Sequence, residues 1–427
     1  MIDPKLIREN PDFVKQNLAR RQNEEYLKMV DEFLEKDEKW RHITKEVEAL
    51  RRERNTFSKK IPKLQGEERT QAVKKMKDLK AQLDQKEKEL QEIEERRKWL
   101  LDRIPNLLHE TVPFGESDED NVPIRTWGEK PTFDFEPKDH HELLELNNLA
   151  DVDRARKVSG ARFYYLKNEA TILELALIQF TLNILKEEGF TLFTPPTLVR
   201  ERALYGTGFL PTGAEDIYRI EGEDLNLIGT SEVALGAYHM DETLLEDQLP
   251  LNYCGISNCY RTEASASTKD DKGIFRVHEF KKVEMFKFAH PERSWDEQEE
   301  MIRIAERVFQ ELGIHYRVVN ICTGDIGAVA ARKYDIEAWM PGQGRYREVV
   351  SCSNCTDYQA RRLNVKYREK EGAPPKGFVH TLNSTAIATT RAIVAILENY
   401  QQKDGSIVIP EKLRRYTGFD KISPINA

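Results

Sequence analysis

The spacing of apolar residues differs between two parts of the chain, and it changes near residue 104. Between residues 31 and 100 the apolar residues are sparse and recur every three or four positions. This two-in-seven spacing is typical of a coiled-coil seam rather than of the broad apolar face of a globular helix. Pro62 and Gly66 interrupt the pattern and separate two stripes. The stripes are Trp40, Ile43, Val47, Leu50, Phe57 and Ile61, then Met76, Leu79, Leu83, Leu90, Ile93 and Leu100.

Two helices with matching stripes and a break between them predict an antiparallel coiled-coil hairpin. At ~1.5 Å per residue, about 35 residues in each helix give an arm roughly 50 Å long. We therefore expect a helical domain over residues 1–103. The segment 104–135 is rich in proline, glycine and acidic residues and predicts a linker onto a second domain, 104–427, in which apolar runs alternate with turns.

An apolar helix and a proline-bearing strand open the core of the second domain. Residues 169–188 are apolar nearly all round a helix, so the helix is expected to be buried or to lie at an interface. The strand that follows carries Pro195 and Pro196. Because proline cannot donate to a sheet ladder, this strand is expected at an edge or at an interface.

Polar side chains dominate two strand-like pieces, YRTE and FRVHEFKKVE, which flank a loop of small and polar residues. Arg261 and Glu263 close the first piece. Alternation places one set of side chains of the second piece on a single face. That set is Arg276, His278, Phe280, Lys282 and Glu284. Such a face is either a solvent-exposed sheet surface or the floor of a binding site.

Three other segments contain candidate functional residues, and each of these residues also has a purely structural explanation. Glu232, in IGTSEV, lies where a hairpin runs into a helix, and there a carboxylate also simply opposes the helix dipole. Glu348 and Ser351, in YREVVSCSNC, are oxygen ligands of the kind hard cations prefer, or surface groups of a strand. Arg391 lies on the apolar side of a helix, so its guanidinium needs an anion or a structural ion pair.

Charge is distributed unevenly along the chain. The net charge is −8, which argues against a generally basic nucleic-acid coat. Residues 51–80 nevertheless hold 11 basic and four acidic residues, so the outer end of the predicted arm is strongly positive. This end is either a solvated coiled-coil surface or a site that meets phosphates. Nothing in it resembles a major-groove reader, so RNA recognised by shape and backbone fits better than DNA.

Cysteine usage and the chain start favour a cytoplasmic protein. Five cysteines without dense spacing suit a reducing compartment. Cys352 and Cys355 form a lone CxxC with no further ligands in view, so we expect no structural zinc. The start MIDPKLIREN lacks the apolar core of a signal peptide, and no run of about 18 apolar residues occurs, so no membrane association is expected.

Three segments resemble, in order along the chain, the three motifs of class II aminoacyl-tRNA synthetases. They are GFTLFTPPTLV, then YRTE with FRVHEFKKVE, then the strand and helix bearing Arg391. Nearly the whole chain is similar to the bacterial type of the seryl-tRNA synthetase family, including MIDPKLIRENPDFVKQNLARR, IGTSEV, YREVVSCSN, ARR and ENYQQ. The loop ASASTKDDKG and Cys355 depart from the family pattern. The resemblance implies an α+β fold, with the hairpin followed by a catalytic antiparallel sheet flanked by helices.

The resemblance also implies a serine–tRNA ligase. Such an enzyme activates L-serine with ATP to seryl-adenylate, releases pyrophosphate, and loads the 3′ end of tRNA(Ser), and of tRNA(Sec) where it exists. Magnesium accompanies the ATP. The implied ATP-binding residues are Arg261, Glu263, Arg276, Val277, Phe280, Glu348, Ser351 and Arg391.

Within that set the resemblance assigns catalysis to Arg261, Glu348 and Arg391. Arg261 is expected to contact the α-phosphate and the serine carboxylate. Phe280 and Arg391 are expected to sandwich the adenine ring, and Glu348 with Ser351 to hold magnesium. The implied serine-binding residues, which meet its ammonium and its hydroxyl, are Thr230, Glu232, Arg261, Glu284, Asn383 and Thr385.

The family assembles as a homodimer through the apolar helix and the Pro196 strand, and its basic arm grips tRNA. Carried onto this chain, the candidate tRNA contacts are Arg51, Arg52, Arg54, Lys59, Lys60, Lys74, Lys75 and Lys77. Three alternatives are a class II synthetase for threonine or proline, a non-catalytic RNA-binding relative, and a purely structural coiled-coil protein. The arm and the TSE element argue against the first, the full set of polar residues argues against the second, and the long second domain argues against the third.

Overall fold

The structure is a computed structural model that describes residues 1–264 and 272–425. The chain separates into two compact units, of which the first is Met1–Leu107 and the second begins at Leu108. The sequence analysis divides the chain after residue 103, four residues earlier. Each unit has its own core and is described by itself.

Helices make up the first unit. A short 3₁₀ turn, Ile61–Lys63, separates the two long helices at the point where the proline and glycine signals lie. Asn23 caps the first long helix by accepting from the backbone N–H of Glu25 at 3.0 Å. The helices are α1 (Pro4–Glu9), α2 (Pro11–Ala19), α3 (Glu24–Lys60) and α4 (Gly66–Arg103).

The long helices form the predicted antiparallel hairpin. Ile43, Val47 and Leu83 are buried between α3 and α4, with further apolar residues of both stripes packed on them. Ion pairs across the seam run in opposite directions along the two helices: Glu32–Arg96, Glu46–Lys86 and Glu53–Lys75. The polar residue Lys86, which occupies an apolar slot of the stripe, is thus explained by its partner on the facing helix.

Asp37 concentrates the charge at the inner end of the hairpin. Its side chain is 1% exposed and lies 2.6 Å from Arg97, 3.3 Å from Arg8 and 3.2 Å from Arg41. Arg97, which also occupies an apolar slot of the stripe, covers the ring of Trp40 at 4.7 Å. Because Asp37 has lost nearly all its water, these partners are what make its burial tolerable.

The second unit is α+β. Its helices are α5 (His140–Leu146), α6 (Val152–Ser159), α7 (Glu169–Glu187), α8 (Glu201–Thr207), α9 (Ser231–Gly236), α10 (Ser294–Glu311), α11 (Tyr358–Leu363), α12 (Thr389–Asn399) and α13 (Glu411–Thr417).

Strands alternate with these helices along the chain. They are β1 (Val122–Trp127), β2 (Ala150–Asp151), β3 (Tyr165–Leu166), β4 (Thr191–Phe193), β5 (Leu198–Val199), β6 (Asn226–Leu227), β7 (Thr243–Leu245), β8 (Leu251–Tyr260), β9 (Glu279–Ala289), β10 (Tyr316–Asn320), β11 (Arg332–Met340), β12 (Arg345–Asn354), β13 (Lys366–Arg368), β14 (Gly377–Phe378), β15 (His380–Ala388), β16 (Ile407–Val408) and β17 (Lys421–Ile422).

Within the described residues the main sheet has eight strands in the order β1-β10-β11-β12-β15-β9-β8-β4. Its pairings are antiparallel except for the edge pair β4 and β8, which is parallel. The amphipathic helix α10 and the apolar helices α7 and α12 cover the core, where Phe309, Leu177 and Ile396 are buried. The predicted antiparallel sheet flanked by helices is confirmed.

The two edge strands of this sheet, β1 and β4, can be compared with the expectations for residues 104–135 and for the proline-bearing strand. The segment expected to be a linker, 104–135, contributes β1, which pairs with β10 and therefore belongs to the sheet; that expectation was wrong for residues 122–127. This strand, VPIRTW, gives no buried alternation by which the sequence could reveal it, because all six side chains are exposed. At the opposite edge lies β4, so the edge position predicted for this strand is confirmed, although β4 ends before Pro195 and Pro196 and does not include them.

Across the parts of the chain that the structure describes, no helix combines the length and apolarity needed to cross a membrane.

We predict that Asp37→Ala destabilises the hairpin by about 1.5–3 kcal/mol, because three partly exposed guanidiniums lose hydrogen bonds to a buried carboxylate. The measurement is hydrogen exchange of the α3 and α4 amides in the full chain. Glu35→Ala is the matched control, since Glu35 is exposed and pairs only with Lys39 and Lys36 in its own helix. The expected cost of the control is below about 0.5 kcal/mol. Equal protection losses in both variants would contradict the role given to Asp37.

Candidate active site

One face of the main sheet carries a cavity of about 270 Å³. Every residue that the sequence analysis assigns to ATP, serine or magnesium lines it. These are Thr230, Glu232, Arg261, Glu263, Arg276, Val277, Phe280, Glu284, Glu348, Ser351, Asn383, Thr385 and Arg391. The structure therefore brings together residues that are more than 160 positions apart in the chain, while their individual roles stay predictions.

The polar strand face differs in detail from its prediction. Strand β8 ends at Tyr260 and β9 begins at Glu279, so Arg261, Glu263, Arg276 and His278 lie in the connection rather than in the strands. The alternation predicted for the second piece was wrong for Arg276 and His278, and Arg261 and Glu263 follow the first strand rather than close it. It holds for the rest of the set, because Phe280, Lys282 and Glu284 all line the cavity from β9.

A β-bulge on β12 aims two side chains at the cavity. Ile336 pairs with Val350 and Glu337 pairs with Glu348, so Val349 is an extra residue. In a regular strand Glu348 and Ser351 point to opposite faces, because they are three positions apart. The extra residue brings both to the cavity side.

A second bulge does the same on β15. Thr385 pairs with Glu284 and Ile387 pairs with Val283, which leaves Ala386 unmatched. Asn383 and Thr385 therefore share the cavity side with Ala388, three positions further on. The next residues begin α12, whose first turn brings Arg391 to the cavity.

Arg261 is fixed at the end of β8 by contacts on several sides. Its backbone N–H donates to the carbonyl of His278 at 2.9 Å, and its side-chain Nε donates to the carbonyl of Gly229 at 3.2 Å. The imidazole Nδ1 of His278 lies 2.9 Å from the Arg261 carbonyl oxygen. His278 therefore supports the arginine from outside the cavity, and its hydrogen bonds account for a residue to which the sequence analysis gives no role.

Glu348 and Arg391 form an ion pair at the cavity mouth. Arg391 Nη1 donates to the Glu348 carbonyl and to its Oε1, both at 3.0 Å. Partial desolvation alone would raise the pKa of Glu348, but the charges of Arg391, Lys333 and Arg261 lower it to about 2. Glu348 is therefore a full carboxylate, which suits a ligand for a hard cation.

Glu232 is more buried than Glu348, and its pKa shifts in the opposite direction. Its Oε1 accepts from Gln359 Nε2 at 2.7 Å and from Asn383 Nδ2 at 3.0 Å. Burial, reinforced by the charge of Glu284, raises the pKa of Glu232 to about 7 in spite of these donors. Two amides thus hold one oxygen and leave Oε2 to meet a positively charged group.

A second buried carboxylate of the cavity, that of Glu284, already forms an ion pair with Lys282. Lys282 lies 2.7 Å from Glu284 Oε2, and both side chains are buried. Thr385 Oγ1 donates to the same oxygen at 3.4 Å. The floor of the cavity therefore offers a carboxylate, a hydroxyl and an ammonium within reach of one small polar ligand.

Some lining residues escaped the sequence analysis, namely Phe209, Phe275, Lys333, Val349, Ala388 and Thr390. Phe275 lies 5.0 Å from the Arg391 guanidinium, and Phe280 lies 5.3 Å from that of Arg261. Phe275 directly precedes Arg276 in the quoted motif, and only its contact with Arg391 distinguishes it from an ordinary apolar residue. Lys333 alternates with Asp335 on β11, and that spacing is the signal that could have found it.

Lys333 is held between two carboxylates. Its ammonium lies 3.1 Å from Asp335. Burial alone would lower the pKa of Lys333, but Asp335 and Glu348 raise it, so the lysine is charged. It lines the cavity as a resident cation beside Ser351.

The candidate tRNA residues lie in the first unit, away from these strands in sequence. All eight are exposed, in the last turns of α3 and the first turns of α4. Lys75 covers the ring of Phe57 at 4.5 Å and lies 3.6 Å from Glu53. The positive end of the arm is thus a solvated surface whose ammonium and guanidinium groups are accessible.

Comparison with known proteins agrees with both units. Residues 1–108 match the family model of the seryl-tRNA synthetase N-terminal domain, and residues 217–400 match that of the tRNA synthetase class II core domain (G, H, P, S and T). A serine–tRNA ligase from Thermococcus onnurineus is 50% identical over 99% of this chain and 97% of its own. Seryl-tRNA synthetase from Pyrococcus horikoshii, solved in complex with ATP, has 49% identity and a TM-score of 0.93 over 100% of both chains.

A more distant structure shows the same fold. The cytoplasmic serine–tRNA ligase from Naegleria fowleri, in complex with AMP, has 35% identity and a TM-score of 0.87, covering 100% of this chain and 99% of its own. The fold and the matched core define a class II aminoacyl-tRNA synthetase. Within that class the chain belongs to the seryl-tRNA synthetase family, and its activity is that of a serine–tRNA ligase.

We predict that Glu232 and Glu348 titrate at opposite ends of the acidic range, although they line one cavity. In the protein without ligands, ¹³C NMR of the glutamate carboxyls should place the pKa of Glu232 at about 7 and that of Glu348 at about 2. Gln359→Leu should raise the pKa of Glu232 further, because a donor to its carboxylate is removed. Glu348 serves as the internal control. A pKa of Glu232 near that of an exposed glutamate would refute the desolvation argument.

Proposed function

We propose that the described cavity performs the first step of serine–tRNA ligation, in which L-serine and ATP form seryl-adenylate. The observation that carries the proposal is the meeting, in one cavity, of all the residues expected to bind ATP and serine. The serine carboxylate attacks the α-phosphorus, a phosphorus–oxygen bond forms, and pyrophosphate leaves. The carboxylate is already ionised at neutral pH, so the step needs positioning and charge stabilisation rather than a general base.

The cavity mouth suits the nucleotide. Arg261 and Arg276 supply guanidiniums for the phosphates, where a planar fork binds two oxygens at once. Glu263, which adopts a left-handed φ of 52° beside these residues, is assigned to the adenine amino group. Phe280 and Arg391 are assigned to the two faces of the adenine ring, since a flat π system accepts an aromatic ring and a guanidinium.

Magnesium would be held by Glu348 and Ser351. The donor set fits a hard cation, because Glu348 is ionised and the bulge on β12 brings its carboxylate and the Ser351 hydroxyl to the same side. When bound, the ion would neutralise phosphate charge. The chain itself orients the two oxygen ligands from one strand, with Lys333 beside them.

Serine is assigned to the floor of the cavity. Glu232 Oε2 and Thr230 would take the ammonium, and Glu284 with Thr385 would take the hydroxyl. A site that hydrogen-bonds a hydroxyl rejects alanine strongly, because its own buried polar groups are left unpaired. Ionisation of Glu232 is required for the ammonium, so serine binding should weaken as the pH falls below about 7.

The exposed basic end of the arm is proposed to bind tRNA(Ser), and tRNA(Sec) where it exists. The support is the accessibility of its cations on a chain whose net charge is −8. A homodimer is proposed through α7 and the β4 edge. Leu175 is 59% exposed and Ile172 44%, so one side of an apolar helix is uncovered within a single chain.

Serine-dependent ATP–pyrophosphate exchange tests the activation step, with threonine, proline and alanine as competitors for specificity. We predict that Arg261→Ala lowers the exchange rate by about 10²–10³-fold, because a preorganised phosphate donor is lost. Arg261→Lys should rescue little, since the ammonium lacks the planar fork. Arg317→Ala is the control, as Arg317 pairs with Glu337 outside the cavity. An inactive parent protein would overturn the proposal, and an active Arg261→Ala dimer would overturn the role of Arg261.

For the arm we predict that substitutions weaken tRNA charging and leave pyrophosphate exchange unchanged. The triple variant Lys74→Glu, Lys75→Glu, Lys77→Glu should keep exchange and raise the KM for tRNA in charging by about tenfold or more, with a weaker dependence on salt. A matched triple reversal nearer the base of α3, at exposed lysines, should change the KM much less. Its positions are Lys28, Lys39 and Lys45. Equal effects of both triples would show that the tip holds no tRNA site.

A further inference from the structure

A buried ionisable residue outside the cavity, His140, has no part in the proposed function. It is the first residue of α5, it is 4% exposed, and it is not among the described residues that line the cavity. Its Nδ1 lies 2.6 Å from Asp139 Oδ1 and 3.2 Å from Glu398 Oε1. Burial alone would lower the pKa of His140, but these two carboxylates raise it, so the ring favours its charged form. Charge-assisted hydrogen bonds therefore fix the imidazole in one orientation.

The opposite edge of the ring packs against the backbone of Gly273. A Cβ built on Gly273 would lie 2.1 Å from His140 Nε2, and the three atoms nearest to it all belong to this ring. Gly273 also has a left-handed φ of 74°, which residues with a side chain rarely adopt. Within the described residues Nε2 has no hydrogen-bond partner, so this contact is one of shape. The ring therefore sets how closely the Gly273 backbone can approach α5.

Gly273 begins a short segment, residues 273–277, that supplies three side chains to the cavity. They are Phe275, Arg276 and Val277. The segment precedes β9 and lies outside its ladder. At its far end the next residue, His278, accepts from the backbone N–H of Arg261 at 2.9 Å. The contacts at Gly273 and at His278 thus hold the two ends of the segment.

The same histidine also contacts the helix that carries Arg391. Glu398 lies in the last turn of α12, and Arg391 lies in the first. Glu398 Oε1 accepts from Gln343 Nε2 at 2.7 Å, and Gln343 Oε1 accepts from Arg347 Nη1 at 2.7 Å. The guanidinium of Arg347 lies 3.7 Å from the Phe275 ring, and that of Arg391 lies 5.0 Å from it. The contacts that start at Glu398 therefore lead back to the segment 273–277.

We propose that His140 is a positioning residue for ATP, which holds the segment 273–277 and α12 in the arrangement that the nucleotide requires. This inference rests on the proposed function, which assigns Arg276 and Arg391 to ATP. These two arginines belong to different elements, and the nucleotide must meet both at once. A ring of fixed orientation between the two elements removes freedom before binding, and such preorganisation strengthens binding.

The floor of the cavity offers a comparison within the same enzyme. Glu232, Glu284 and Thr385 are assigned to serine and lie on α9, β9 and β15, and their hydrogen bonds described above involve neither His140 nor Gly273. A histidine that only stabilises the fold would change the amount of active enzyme and leave the KM for each substrate unchanged. A positioning histidine instead raises the KM for ATP and leaves the KM for serine nearly unchanged.

The test replaces the ring with amides that each mimic one ring nitrogen. His140→Asn keeps an N–H near the Nδ1 position and removes the ring edge that packs on Gly273. In serine-dependent pyrophosphate exchange, this variant should raise the KM for ATP about tenfold and leave the KM for serine within about twofold of the parent. His140→Gln places its amide near the Nε2 position, so it keeps the contact with Gly273 and should raise the KM for ATP by less than about threefold.

His141→Asn is the matched control, because His141 is the next residue and also pairs with Asp139, at 3.0 Å. Both KM values of the control should stay within about twofold of the parent. If His140→Asn fails to fold by thermal unfolding, Gly273→Ala perturbs the same contact from the other side. It strains the backbone and overlaps the ring, so it should also raise the KM for ATP about tenfold.

Each outcome decides the role of His140. A rise in the KM for ATP alone, larger in His140→Asn than in His140→Gln, supports the proposal. Unchanged KM values in His140→Asn, or in Gly273→Ala where that variant takes its place, overturn it in favour of a role in stability alone. Equal changes in the KM for ATP and for serine, or equal effects of the two amides, also overturn it. Absence of exchange in the parent protein would instead remove the proposed function on which the inference rests.

Discussion

The candidate site depends on two extra residues in the main sheet. Val349 on β12 and Ala386 on β15 have no partner on the neighbouring strand, and each shifts the alternation of side chains by one position. Without these bulges, Glu348 and Ser351 could not face the same cavity, and Thr385 could not share its side with the start of α12. Because a bulge is set by strand pairing on both sides, the site inherits its geometry from the rigidity of the sheet.

This dependence explains which parts of the molecule were predictable from the sequence. Long-range patterns gave the hairpin, since Ile43, Val47 and Leu83 repeat at coiled-coil spacing and do pack together. Strand alternation correctly placed Phe280, Lys282 and Glu284, but it failed for Arg276 and His278, which precede β9. A bulge leaves no mark in a single sequence, so residue type identified Glu348 and Ser351 as candidate cation ligands, but their position on a common side could not be predicted.

Edge strands and tertiary contacts account for the other differences between the predicted and the observed structure. Strand β1 is exposed along its whole length and resembles a linker in composition, so only its pairing with β10 reveals it. Lys333 and Gln359 carry no motif that the sequence analysis used. Their importance comes from neighbours: Lys333 lies against Asp335, and Gln359 donates to Glu232. Such roles are set by tertiary contacts that bring together residues distant in sequence.

Charge pairing within the cavity also determines what a ligand must do. Arg391 is paired with Glu348 and Arg276 with Glu263 when no ligand is present. Under the proposed function these partners separate, because Glu348 turns to magnesium while Arg391 covers the adenine ring. Each ion that loses its partner must gain another of opposite charge or an aromatic face, or the exchange would leave a desolvated charge uncompensated. Under that function magnesium and ATP would supply the cation and the anion together, so the cavity would favour the complex of the two over either one alone.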